Sequence, residues 1–224
     1  MKVCEIYKSV QGEGLDIGLT TTFVRLSGCN LACKFCDTKY AWTEFKEMTA
    51  NEIASEVFKL GCRNICITGG EPLLQDLTEL LDLLRHRRVT IETNGTIWAD
   101  YDVDLWSVSP KLTNSGQVQH ARPDIVGRFA REKRNVQLKF VVDGEKDVYE
   151  AMRFCERAGV PSRVPIIFQP NNALFKVTDK TSNWRIDYIN KLSELASIVQ
   201  KIRRPNVRVL PQLHFLLFAR QRRR

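Results

Sequence analysis

The chain has 224 residues, 43% hydrophobic and 27% charged, with a formal net charge of +8; this composition suits a soluble globular protein, most economically one domain over 1–224. No apolar run is long enough to cross a bilayer, and the opening MKVCEIYKSVQGEG lacks the apolar core and cleavage site of a secretory signal, so a cytoplasmic protein without a membrane partner is expected. Seven cysteines, an odd number in a chain too large to need stapling, fit a reducing compartment where thiols serve as ligands or small buried hydrophobes.

In chain order, TTFVRL (21–26) reads as a strand with Phe23 and Arg25 on one face and Val24 and Leu26 on the other. TANEIASEVFKLG opens on a capping-box pattern, Thr49 and Glu52, and stops at Gly61, so it predicts a helix. NICIT predicts a strand, LLQDLTELLDLLRHRR a helix and VTIET another strand. LWSVS, a helix opened by Pro123, the strand VQLKFVV, a helix over 146–158, the strand VPIIF, a helix over 184–202 and the strand VRVL complete the series. Strands separated by helices imply parallel pairing through crossovers. The sequence lacks both the glycine fingerprint of a dinucleotide site and a P-loop. About six or seven units therefore predict an α/β fold, a full or partial (β/α) barrel of the triosephosphate-isomerase type.

Polar and glycine-rich segments follow these strands: GGEP, NGT, PK, QPNN and PQLH. In a parallel barrel such ends open onto one face, where ligands bind. The segment GCNLACKFCDTKYAW follows the first strand and places Cys29, Cys33 and Cys36 within eight residues. A structural zinc site usually takes four protein ligands, and no second CxxC is present. Closely spaced thiolates also suit an iron–sulfur cluster, where three cysteines leave one iron open. Cys4, Cys62, Cys66 and Cys155 are scattered and read as buried small side chains. Arg25 lies inside an apolar strand and needs an anion, either one of the chain's own acids or a carboxylated ligand. The basic stretch KIRRPNVRV and the tail at 219–224 lack interleaved stacking aromatics, so the tail reads as a solvated end and no nucleic-acid partner is expected.

The C-x3-C-x2-C spacing with Phe35 before the last cysteine, followed by GGEP, resembles the radical S-adenosylmethionine enzymes. With SVQGEG, FVRLSGCNLACKFCDTKY, TGGEPLLQ, IETNGT, SPK, LKFVV, QP and LPQLH in that order, the chain is similar to the 7-carboxy-7-deazaguanine synthases over residues 9–214. That resemblance implies a lyase that contracts the ring of 6-carboxy-5,6,7,8-tetrahydropterin with loss of ammonia, in queuosine biosynthesis. It implies a 4Fe–4S cluster, S-adenosylmethionine used catalytically through a 5′-deoxyadenosyl radical, and Mg2+. A reductase or flavodoxin-type electron donor and a homodimer are also implied.

Carried over by position, Cys29, Cys33 and Cys36 hold the cluster, and Thr38 matches the magnesium ligand; apart from the family, a loop hydroxyl bonding its own backbone is the favoured reading of Thr38. Gly70, Ser109, Pro110, Lys111, Gln169, Pro170, Asn171 and Asn172 match S-adenosylmethionine contacts. Val10, Gln11, Gly12, Glu13, Arg25, Thr68 and His214 match substrate contacts; a lone histidine such as His214 is more often structural or exposed. Some relatives end soon after the PQLH segment, whereas this chain continues through FLLFARQRRR, so no role is carried onto its terminus. Two other readings remain: a glycyl-radical-enzyme activase, and a non-enzymatic iron–sulfur or zinc protein that binds RNA through the basic tail.

Overall fold

The computed structural model describes residues 1–177 and 183–223. Within them, strands β1 (Lys2–Val10), β2 (Thr20–Leu26), β3 (Lys46–Glu47), β4 (Asn64–Gly69), β5 (Arg88–Thr93), β6 (Leu105–Val108), β7 (Val136–Val142), β8 (Ile166–Pro170) and β9 (Val207–Val209) form one sheet. Its order is β3-β1-β2-β4-β5-β6-β7-β8-β9. From β2 through β9 every neighbouring pair is parallel, while β1 pairs antiparallel with both β2 and β3. The expected parallel strands therefore form a partial barrel, with two antiparallel strands added at one edge.

Helices α1 (Ala50–Leu60), α2 (Thr78–Leu83), α3 (Pro123–Glu132), α4 (Glu145–Arg157) and α5 (Trp184–Val199) connect successive parallel strands except β5 and β6, which are joined without a helix, and α6 (Leu213–Phe218) follows β9. The α1 capping box forms as expected. Thr49 accepts from the Glu52 amide, the Glu52 carboxylate accepts from the Thr49 amide, and Gly61 ends the helix at φ 71°. The long helix expected after GGEP is shorter. Pro72 begins a separate turn, and only Thr78–Leu83 is α-helical before Leu84 ends it. Sequence periodicity did not mark β1 as a strand, because the buried Glu5 interrupts its apolar pattern.

Alternation along the strands separates core from cavity. Val24, Leu26, Ile65, Ile67, Ile91, Val108, Leu138, Phe140, Val142, Ile166 and Phe168 point outward and join buried residues of the helices in one continuous core. Their neighbours Phe23, Arg25, Thr68, Glu92, Ser107, Lys139, Val141 and Gln169 line the inner cavity. A smaller cluster of Trp184, Tyr188 and Phe215 joins α5 to α6, and the Tyr188 hydroxyl accepts from the Gln212 amide at 2.7 Å. That bond fixes the chain just before α6.

The loop after β1 departs from the expected single mouth. Val10 pairs with Thr20, at the start of β2, so Gln11–Gly14 enters the barrel from the opposite end. Gln137 holds this loop by accepting from the Leu15 amide at 2.7 Å and donating to Ser107 at 2.8 Å. Asp16 forms a two-bond pair with Arg88 at 2.9 and 2.8 Å. The barrel is thereby stoppered at one end and open at the other.

At the open end, two glycines permit close backbone contact. A Cβ on Gly69, at φ 153°, would lie 2.2 Å from Leu26 O, and one on Gly70 would lie 2.0 Å from Gly28 O. The Gly70 position has no flexible side chain to move aside, because the obstacle is the backbone of the cysteine segment. Gly70→Ala is expected to destabilise the fold by about 1–3 kcal/mol, read as a lower urea midpoint; an unchanged midpoint would contradict this contact.

Candidate active site

The inner face encloses a cavity of about 320 Å3, large enough for a small ligand. Val10, Gln11, Gly12, Glu13, Arg25, Cys29, Cys33, Cys36, Thr38, Thr68, Gly70, Ser109, Lys111, Gln169, Asn171, Asn172 and His214 all line it. Pro110 and Pro170 are buried but are not among its lining residues.

The cysteine segment is tied to three strand ends. The Glu71 amide donates to Gly28 O at 2.8 Å. Asn94 donates to the Asn30 side chain at 2.9 Å, and Asn30 donates to Thr96 at 2.8 Å. The Lys34 amide donates to Ser115 O at 3.0 Å. Glu71 couples the loops after β4 and β5: its fully buried carboxylate accepts from the Leu73 amide, the Thr93 hydroxyl and the Asn94 amide at 3.1, 2.8 and 2.7 Å. Burial nevertheless raises its pKa.

All seven cysteines are free. The Leu31 amide lies 3.4 Å from Cys29 Sγ, and Thr38 Oγ1 lies 3.7 Å from Cys36 Sγ. Among the described residues, no three His, Cys, Asp or Glu side chains converge as ligands of one metal ion. Burial pushes the Cys29 and Cys33 thiols up. Cys62, Cys66 and Cys155 are buried as expected; Cys4 is only half-buried, because β1 lies near the sheet edge.

Beside the thiols, the Ser109 amide donates to Thr93 O at 2.8 Å and Lys111 donates to the Ser109 hydroxyl at 3.0 Å. Asn171 donates to Asp143 at 2.9 Å and accepts from the Ala173 amide at 3.0 Å. Gln169 differs from these neighbours. Its side-chain nitrogen and oxygen are both buried, and neither has a hydrogen-bond partner among the described residues. An unpaired buried amide costs about 1–3 kcal/mol, and this one lines the cavity, so it suits a polar ligand with both donor and acceptor edges.

Deeper in the barrel, Glu13 pairs with Lys139 and accepts from Gln212 at 2.7 Å. Burial lowers the Lys139 pKa, and Glu13 is its ion-pair partner. Thr68 donates to Glu92 at 2.9 Å, and Gln11 approaches the other Glu92 oxygen at 3.3 Å. His214, matched to a substrate contact by the family resemblance, lies on α6 and lines the cavity, so close to Gly12 that a Cβ there would lie 2.1 Å from Nδ1. Burial pushes the His214 pKa down and favours neutral imidazole.

Arg25 has an internal counter-ion: Nε donates to Glu5 at 2.9 Å and Nη2 to the Tyr7 hydroxyl at 3.0 Å. Among the described residues Nη1 has no acceptor, and the side chain lines the cavity. The chain's own acid and a carboxylated ligand are therefore compatible partners. Sequence reading did not single out Glu5, Glu92, Lys139 or Gln212. Lys139 carried a usable signal, a charge within the apolar run VQLKFVV.

The tail departs from the expected solvated end. Arg222 and Arg223 donate to Glu5 at 3.0 and 3.2 Å, and Arg222 stacks 3.9 Å from the Tyr40 ring centre. Both line the cavity mouth. Arg224 lies outside the described residues.

Residues 23–173 match the family model of the radical SAM superfamily. A 7-carboxy-7-deazaguanine synthase of Pyrobaculum aerophilum is 39% identical over 173 residues, 72% of this chain and 75% of that protein. One from Bacillus cereus is 30% identical over 245 residues, covering 98% of this chain and 97% of the relative. This chain belongs to the 7-carboxy-7-deazaguanine synthase family of radical SAM proteins. The crystal structure of QueE from Escherichia coli is similar in fold, with a TM-score of 0.67, 24% identity and coverage of 95% of this chain and 94% of that one.

The radical SAM assignment agrees with the donor set, since three cavity-facing thiols suit a 4Fe–4S cluster and Gln169 suits a polar cosubstrate. Cys33→Ala is expected to lose most of the iron bound after anaerobic reconstitution, whereas Cys62→Ala retains it. Equal iron in both variants would show that the wrong thiols have been assigned.

Proposed function

We propose that this protein converts 6-carboxy-5,6,7,8-tetrahydropterin to 7-carboxy-7-deazaguanine with loss of ammonia, acting as a single domain. The carrying observation is that one cavity joins the three-thiol segment to a charged interior containing Arg25, Glu13, Lys139 and Glu92. An apolar pocket would have no means of orienting a carboxylated, amide-rich ring.

Cys29, Cys33 and Cys36 would hold the cluster, while Gly70, Ser109 to Lys111 and Gln169 to Asn172 would hold S-adenosylmethionine. When bound, these groups supply one-electron chemistry that removes a hydrogen atom from the substrate. The protein's own residues orient the ring and exclude water. Arg25 offers its spare guanidinium edge to the substrate carboxylate, where a planar fork fixes direction as well as distance. Gln11, Glu13, Thr68 and Glu92 offer donors and acceptors to the pterin edge. Lys139 and Gln212 hold Glu13 in place, and His214 supplies a neutral imidazole next to Gly12. Thr38, beside Cys36, is the proposed magnesium contact; its hydroxyl faces the same cavity.

The absence of a membrane-crossing helix among the described residues is compatible with a cytoplasmic setting, and the family supports a homodimer supplied by a reductase or flavodoxin-type donor. Anaerobic reconstitution followed by reductant, S-adenosylmethionine and the carboxytetrahydropterin should yield the deazapurine. Cleavage of S-adenosylmethionine without that product would overturn the substrate assignment. Arg25→Ala should raise KM by about 10–100-fold, the worth of a hydrogen bond to a charged group, while leaving the cluster spectrum unchanged.

A further inference from the structure

The carboxylate of Glu5 is fully buried, and its two oxygens are divided between different parts of the chain. Oε1 accepts from Arg25 Nε and from the Tyr40 hydroxyl, both at 2.9 Å. Oε2 accepts from Arg222 Nε at 3.0 Å and Arg223 Nε at 3.2 Å. Burial alone would raise the Glu5 pKa, but bonds from Tyr40 and Arg222 and the charge of Arg25 hold it below the usual carboxylate range.

The tail is held in this position by further contacts. Ala219 ends α6 at φ 57°, a positive φ that strains a non-glycine residue. Arg220 donates to Asn172 O at 3.1 Å and Phe175 O at 3.3 Å. Arg222 also pairs with Glu44 at 2.8 Å and covers the Tyr40 ring. These interactions offset the strain at Ala219 and bring the tail to the cavity mouth.

The division of Glu5 matters because Arg25 is its direct cross-strand partner. Arginine prefers to grip a carboxylate with two parallel bonds. If Oε2 were free, Arg25 could pivot onto both oxygens through Nε and Nη2, drawing the guanidinium toward Glu5 and its spare Nη1 away from the cavity. With Oε2 occupied by the tail, Arg25 keeps a single bond to Glu5.

We propose that Arg222 and Arg223 are positioning residues for substrate recognition: by occupying Glu5 Oε2 they reserve the free edge of Arg25 for the substrate carboxylate. This rests on the reading of Arg25 as the carboxylate-binding residue. The tail thus sets specificity for a carboxylated pterin over its uncarboxylated analogue.

The test uses the reconstituted full-length enzyme with S-adenosylmethionine bound. Equilibrium binding of 6-carboxytetrahydropterin and of tetrahydropterin without the carboxylate is measured alongside KM and kcat. The double variant Arg222→Gln/Arg223→Gln should bind the carboxylated ligand roughly tenfold more weakly, about one charge-assisted hydrogen bond. It should bind the uncarboxylated ligand as before, with iron content and kcat retained. Adding Glu5→Gln to that variant removes the competing carboxylate and should restore most of the lost affinity.

Unchanged affinity in the double variant, or equal losses for both ligands, overturns the positioning role, as does failure of Glu5→Gln to restore binding. Arg25→Ala in the same assay separates the two readings. If it leaves carboxylate affinity intact, the reading of Arg25 fails and the tail's role falls with it. If it weakens binding while the tail variant does not, only the tail's role is overturned.

Discussion

Along β7, Leu138, Phe140 and Val142 enter the helix-covered core while Lys139 and Val141 face the cavity, and a similar two-residue period runs through the neighbouring parallel strands. This alternation lets one sheet do opposite jobs on its two faces. The outer face drives folding by burying aliphatic and aromatic side chains beneath the helices. The inner face is released from that duty and carries Arg25, Thr68, Glu92, Lys139 and Gln169. In a closed barrel of the same class, layered side chains fill the interior; here the sheet stays open and the interior holds the site.

Two devices make a polar interior tolerable. The first is pairing: Glu13 with Lys139, Glu5 with arginines of β2 and the tail, and Asp16 with Arg88. A buried charge without such a partner would cost several kcal/mol. The second is backbone contact at the rim. Gly69 and Gly70 bring the loop after β4 against Leu26 and Gly28, and Glu71 ties that loop to the end of β5. The cysteine segment is therefore held by strand ends rather than by its own short sequence.

Local features were legible in the sequence, and distant ones were not. The capping box of α1, the parallel strands and the three-cysteine spacing each depend on residues close together in the chain, so their patterns survive in one dimension. Family resemblance brought Gln11, Gly12 and Glu13 to the site without revealing that they enter from the opposite end, a consequence of the antiparallel β1. The short α6, LHFLLF, is apolar nearly all round and offers no clear periodicity. Contacts of Glu5 with Arg222 and Arg223 span 217 and 218 residues, and nothing local to the tail distinguishes a docked arginine from a solvated one.

On this reading three thiolates complete the protein's share of the metal centre and leave one iron for the cosubstrate. Electron–nuclear double resonance on the reduced, reconstituted protein tests it directly, using S-adenosylmethionine labelled with 15N at its amino group. Direct ligation predicts a nitrogen hyperfine coupling to the cluster that appears only when the cosubstrate is present. A saturated sample with no such coupling, and a cluster spectrum unmoved by S-adenosylmethionine, would contradict it.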